Sequence, residues 1–222
     1  MKIKNIKIAI DAPAGAGAGT QSKLISKHYN LFYLDTGKIY RVLAYYKIKN
    51  PNKFNLIYVK NKIKKIKLHE LNNKKLLPNK IGIEASIISK NKKIRRLVDI
   101  IQKKYAYNPP KKYNGSCLDG RDITYKILPD ADFKFFITAD IKIRAKRRYE
   151  ELRILNKETK YIDVLKSIKQ RDQSDYKRKI SPLKKTKDSI LIDTTNLTIK
   201  KCFSKIKNII DMGIQKKILD IK

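Results

Sequence analysis

The stretch that most restricts this chain is Ile6-Lys7-Ile8-Ala9-Ile10-Asp11. It runs directly into Ala12-Pro13-Ala14-Gly15-Ala16-Gly17-Ala18-Gly19-Thr20 and the polar opening Gln21-Ser22-Lys23. An apolar strand, a turn of small residues and a helix start, in that order, form the setting of a phosphate-binding loop. Glycines let the backbone turn tightly enough for successive N–H groups to converge. The positive end of the helix adds to the field that holds phosphate oxygens. Thr20 falls where a hydroxyl would reach Mg²⁺. Two positions depart from G-x-x-x-x-G-K-[ST]: Ala12 replaces the first glycine and Ala18 the phosphate-binding lysine. A missing ammonium weakens such a site without removing its amides.

Beyond the loop, hydrophobic periodicity predicts a helix over 21–29, a short apolar strand over 31–34 and a helix over 38–47. Asp35-Thr36-Gly37 is suited to cap that second helix. The lysine-rich stretch 54–77 reads as short helices joined at Asn72-Asn73, and 81–107 as a helix with room for one break. Strands are expected over 116–119 and 133–138, then helices over 141–155 and 161–175. A mobile basic loop over 177–188, a strand over 189–193 and a terminal helix over 197–217 complete the chain. Strands alternating with helices imply an α/β fold whose mainly parallel sheet is covered on both faces. Such sheets bind ligands at the carboxyl ends of their strands, where Gly120-Arg121-Asp122 falls.

At 222 residues the chain is long enough for one full core. No run approaches the roughly 18 apolar residues of a membrane span, and the early first strand leaves no room for a signal peptide. Two cysteines, Cys117 and Cys202, read as reduced buried thiols of a cytosolic protein, and His28 and His69 as surface residues. The 54 Lys and Arg against 20 Asp and Glu give a formal charge of +34. Such a balance collects phosphates non-specifically, so contact with nucleic acid is open. The lysines run along the whole chain together with abundant Ile, Asn and Tyr, and most of the charge is read as compositional.

Several further stretches follow the loop: Leu34-Asp35-Thr36-Gly37 with Tyr40-Arg41, then Asp119-Gly120-Arg121-Asp122 and Pro129-Asp130-Ala131. Arg144 with Arg147-Arg148, Arg171-Asp172 with Asp175 and Arg178, Pro182-Leu183 and Asp193-Thr194-Thr195 complete the series. In this order and spacing the chain resembles bacterial cytidylate kinases, within the nucleoside monophosphate kinases, over nearly its full length. The resemblance implies a P-loop three-layer α/β/α fold with a five-stranded sheet. The core would be 1–47 and 112–222, with a nucleotide-monophosphate-binding insert over about 48–108 and a lid over about 171–188. It implies ATP-dependent phosphorylation of CMP and dCMP with Mg²⁺, by a cytoplasmic and monomeric protein.

The resemblance also implies roles. Arg121, Arg171 and Arg178 would be catalytic. ATP would lie on Ala14, Gly15, Ala16, Gly17, Ala18, Gly19, Thr20 and Gln21, with Arg147 nearby and Mg²⁺ on Thr20. Thr36 and Arg41 would hold the acceptor phosphate, Ser86 and Arg95 the cytosine, and Asp122 and Asp175 the acceptor's amino-group side and pentose. Phosphoryl transfer needs this inventory, because two polyanions must be aligned and neutralised, which forked guanidinium groups do well.

Three departures from the family pattern stand out. Ala18 removes a cation, which leaves either a replacement from Lys23, from Arg178 or from Lys177 and Lys179 of the lid, or a slow enzyme. Thr124-Tyr125 replaces the usual Gly-Thr, which puts the local loop geometry in question. The segment between Arg41 and Ser86 is shorter than the insert that gives bacterial members extra strands. The alternative reading is a catalytically weakened kinase-like protein that binds nucleotides or nucleic acid. A kinase for another acceptor such as shikimate is disfavoured by Ser86 and Arg95.

Overall fold

A computed structural model describes residues 5–219 apart from 156. Five strands, β1 (Ile6–Asp11), β2 (Phe32–Asp35), β3 (Gly115–Gly120), β4 (Phe133–Thr138) and β5 (Ile190–Asp193), form one all-parallel sheet in the order β2-β3-β1-β4-β5. The central strands are buried on both sides, as parallel pairing demands. Ile8, Ile10, Cys117, Phe135 and Ile137 face one core with Ile25, Cys202, Ile206 and Ile210 of helices α1 (Ala18–Tyr29) and α8 (Ile199–Leu219). Ala9, Leu34 and Leu118 face the other core with α2 (Thr36–Lys49) and α5 (Lys92–Tyr107). A smaller cluster of Ala145, Leu152, Val164 and Ile168 holds α6 (Ile141–Leu155) against α7 (Tyr161–Lys177). No helix among the described residues is long and apolar enough to cross a membrane.

Between α2 and β3 the chain carries a short 3₁₀ turn (Pro51–Lys53), α3 (Leu56–Lys65), two further 3₁₀ turns and α4 (Asn79–Ile88), then α5. The described residues of this segment contain no strand, in keeping with its shortness. The helical period predicted over 81–107 breaks at Ser89–Asn91, where the Asn91 side chain accepts from the N–H groups of Lys93 and Ile94 and starts α5.

Helix α1 begins at Ala18, three residues earlier than the sequence indicates. Gly17 adopts φ 90° and serves as its N-cap, so the turn winds straight into the helix. After β3 the backbone makes one π-helical turn, Ile123–Ile127, which periodicity does not announce. Buried Asp11 fixes it by accepting from the N–H of Ile123 and from both the N–H and the hydroxyl of Thr124. Tyr125 donates its hydroxyl to Pro182 O. The Thr124-Tyr125 departure is therefore built into the loop: one residue ties it to β1 and the next to segment 178–189. That segment, read from sequence as mobile, packs Leu183 at 2% exposure and bonds its N–H to Asp175 O (2.8 Å).

Candidate active site

At the carboxyl ends of the strands two hollows meet. A cleft of about 610 Å³ is floored by residues 13–21 of the glycine-rich turn. Gly15 (φ 77°) and Gly17 (φ 90°) give the turn its shape, and a Cβ on Gly15 would stand 2.9 Å from Arg144 O. Ala14, Gly15, Ala16, Gly17, Ala18, Gly19, Thr20, Gln21 and Arg147, the residues expected to hold ATP, all line this cleft. The Gln21 side-chain amide donates to Ile199 O (3.1 Å), another residue of the cleft wall. Arg147 is anchored at the loop's edge by Thr194, through its hydroxyl (2.9 Å) and its carbonyl (2.7 Å). The Thr194 hydroxyl in turn donates to Ala16 O.

A smaller recess of about 70 Å³ gathers nine predicted residues from distant stretches: Thr36, Arg41, Ser86, Arg95, Arg121, Asp122, Arg171, Asp175 and Arg178. Each element end delivers one part. Thr36, in the first turn of α2, donates its hydroxyl to Asp119 O (2.8 Å). Arg95 on α5 forms a buried ion pair with Asp122 (2.9 Å) and donates from Nε to Ser89 O. Asp175 on α7 receives Arg121 (2.8 Å) on one oxygen and Arg178 (3.2 Å) on the other. Ser86 of α4 meets Ser174 of α7, hydroxyl to hydroxyl, at 3.2 Å.

Arg41, Arg121 and Arg171 line both hollows, so their guanidinium groups stand where the two join. Burial and the neighbouring Arg171 and Arg148 hold Arg41 down at about 9. Burial and Arg121 hold Arg171 at about 10, and its Nε is buried without a partner. For Arg121 the effect of burial is outweighed by Asp175, which leaves it raised. Burial would raise Asp175, yet Arg121 and Arg178 hold its carboxyl below the usual range. Half-buried cations pressed together, only one of them paired to Asp175, can seat a polyanion.

A pair of acidic residues with no role expected in metal binding stands beside the turn. Asp35 and Asp119 end adjacent strands as register partners, and both line the larger cleft. Asp119 Oδ2 lies 3.4 Å from where a Cβ on Gly19 would stand, and burial and Asp35 push this carboxyl well above its usual range. Tyr33 donates its hydroxyl to it at 3.3 Å. The signal was readable, since both residues fall at carboxyl ends of parallel strands. Two of the cations expected to replace the loop lysine are not in the cleft: Lys177 and Lys179 line a separate groove with Lys90, Gln170 and Gln173. Arg178 is occupied by Asp175 and Ser181 O and lines the recess.

Comparison with known proteins agrees with this arrangement. The family model "Cytidylate kinase" matches residues 8–212. A cytidylate kinase of Mesomycoplasma hyopneumoniae (strain 7448) is 38% identical over 238 residues, covering 100% of both chains. One from Clostridium botulinum (strain Langeland / NCTC 10281 / Type F) is 40% identical over 93% of this chain and 98% of its own. A crystal structure of an uncharacterized protein from Eubacterium ventriosum ATCC 27560 matches with a TM-score of 0.56. At 17% identity over 93% of this chain and 99% of that one, it speaks to the fold alone. A glycine-rich turn between strand and helix, a five-stranded parallel sheet and a match spanning nearly every residue lead to one conclusion: this chain belongs to the cytidylate kinase family.

Proposed function

We propose that the chain transfers the γ-phosphoryl group of ATP to CMP or dCMP. The observation that carries this reading is the sharing of Arg41, Arg121 and Arg171 between the phosphate-loop cleft and the acceptor recess. ATP lies in the larger cleft, its phosphates on the N–H groups of residues 15–20 and its nucleoside side toward Arg147. The acceptor phosphate lies against Thr36 and Arg41, cytosine against Ser86, Arg95 and Asp122, and the pentose against Asp175. Arg121, Arg171 and Arg178 neutralise the phosphoryl group as it passes between the two oxygens.

The Asp35–Asp119 pair, left unbalanced beside Gly19, fits a divalent cation, with Thr20 supplying a hydroxyl. When bound with ATP, Mg²⁺ neutralises the phosphate oxygens. The protein's own part is to hold the donor on backbone amides, hold the acceptor on arginines and keep water away.

The core is 1–47 and 112–222, the acceptor-binding insert about 48–108 and the lid about 171–188. A recess of about 70 Å³ is well below the roughly 300 Å³ of the smallest ordinary ligand pockets. Insert and lid therefore separate to admit the nucleotide, parting Ser86 from Ser174, and close again on it. Both hollows are lined by one chain, so a monomer is sufficient. The test is ADP release with CMP, dCMP, UMP and AMP as acceptors: turnover with the two cytidine nucleotides supports the reading, and none with any acceptor from folded protein refutes it.

A further inference from the structure

A turn with alanine at position 18 has no ammonium of its own. Among the described residues lining the cleft, the ammonium groups are those of Lys23 and Lys38. Four of the five arginines lining the cleft are bonded to protein groups. Arg147 is bonded to Thr194, and Arg148 to Glu151 and Leu77 O. Arg41 donates to Leu76 O and Arg121 to Asp175. Arg171 belongs equally to the acceptor recess.

Lys38 sits in the first turn of α2, a helix whose first turn holds no acidic residue. The positive end of the helix dipole disfavours a cation there. Its backbone N–H already donates to the Asp35 cap (3.2 Å), a bond that any residue but proline would make, so the cap does not require the side chain. Lys38 forms no ion pair among the described residues. Its Nζ donates to Asn72 Oδ1 (3.0 Å) in an exposed setting, a bond that costs little to exchange for another. Against the upward push of burial and Asp35, Lys38 is among the charges that pull Asp119 down, and Asp119 flanks Gly19.

We propose that Lys38 supplies, from α2, the donor-phosphate ammonium that the loop lacks at Ala18. This rests on the phosphotransfer reading and names the residue that completes its donor site. The side chain leaves Asn72 and reaches over the phosphates held by the loop amides, as a lysine at position 18 would from below.

The experiment compares wild type, Lys38→Ala, Lys23→Ala, Ala18→Lys and the double variant Ala18→Lys/Lys38→Ala. Binding of β,γ-methylene-ATP is measured by calorimetry, and kcat and KM by ADP release. Lys38→Ala is expected to weaken analogue binding about 10-fold and lower kcat/KM for ATP about 100-fold, with the thermal shift caused by CMP unchanged. Ala18→Lys should restore most of that loss in the double variant while adding little to wild type. Unaltered analogue binding in Lys38→Ala, a loss in Lys23→Ala instead, or an equal gain from Ala18→Lys in both backgrounds would each overturn the proposal. If wild type binds the analogue through Lys38 yet turns over no acceptor, Lys38's role stands and the phosphotransfer reading falls.

Discussion

Arg121 and Asp175 meet at 2.8 Å, joining the end of β3 to α7 across the acceptor recess. The other oxygen of the same carboxylate holds Arg178 at 3.2 Å, so one anion balances two guanidinium groups. Removing it strands both. Asp175→Asn is expected to destabilise the fold by roughly 3 kcal/mol, since breaking a buried pair leaves an uncompensated charge. The carboxyl lies below its ordinary value of 3.8 in the fold. Its contribution is therefore complete above that pH and is lost as pH falls through the lower folded value. Urea denaturation at pH 7 should show the loss, and acid titration below pH 4 should lose less stability in the variant than in wild type. Equal stability at pH 7 would count against the pairing.

Arg171 carries the opposite expectation. It is a half-buried cation whose Nε is buried without a partner, pressed by Arg121, and it lines the junction of the two hollows. Such a group costs stability until an anion arrives. Arg171→Ala should melt about 1 kcal/mol more stably without ligand, lose much of the CMP-induced thermal shift, and turn over roughly 100-fold more slowly. A variant that is both less stable and normally active would contradict its placement.

The strand and turn at 6–20 were legible because small residues between an apolar strand and a polar helix start leave few other uses for that pattern. The nine recess residues were named through the family resemblance, and the fold gathers them from α2, α4, α5, α7 and the residues just after β3 and α7. The π-helical turn at Ile123–Ile127 was not, because it is set by Asp11, more than a hundred residues away. The start of α1 was placed late because Gly19 is a poor helix former inside a run of glycines, and the φ of Gly17 decides the boundary. Asp35 was read as a cap, which it is. Its second relationship, to Asp119, exists only once β2 and β3 pair.

Asp11 gives a pH signature distinct from that of Asp175. Burial raises its carboxyl to about 6 although three donors from Ile123 and Thr124 oppose the shift. A carboxyl raised in the fold stabilises fully below its unfolded value of 3.8, and that stability is lost as pH rises through about 6. A shift of about two units corresponds to about 3 kcal/mol. The difference in unfolding free energy between wild type and Asp11→Asn should change by that order between pH 4 and pH 7. Parallel profiles would show that Asp11 does not titrate in this window.

The central claim is that two nucleotides lie end to end across one arginine junction. Its most direct test is calorimetric binding of a bisubstrate compound, adenosine and cytidine joined through five phosphates. The account predicts affinity at least 100-fold tighter than that of ATP or CMP alone, because one tether engages both hollows. It also predicts that Arg171→Ala removes most of that gain. Affinity no better than that of the tighter single nucleotide would contradict it.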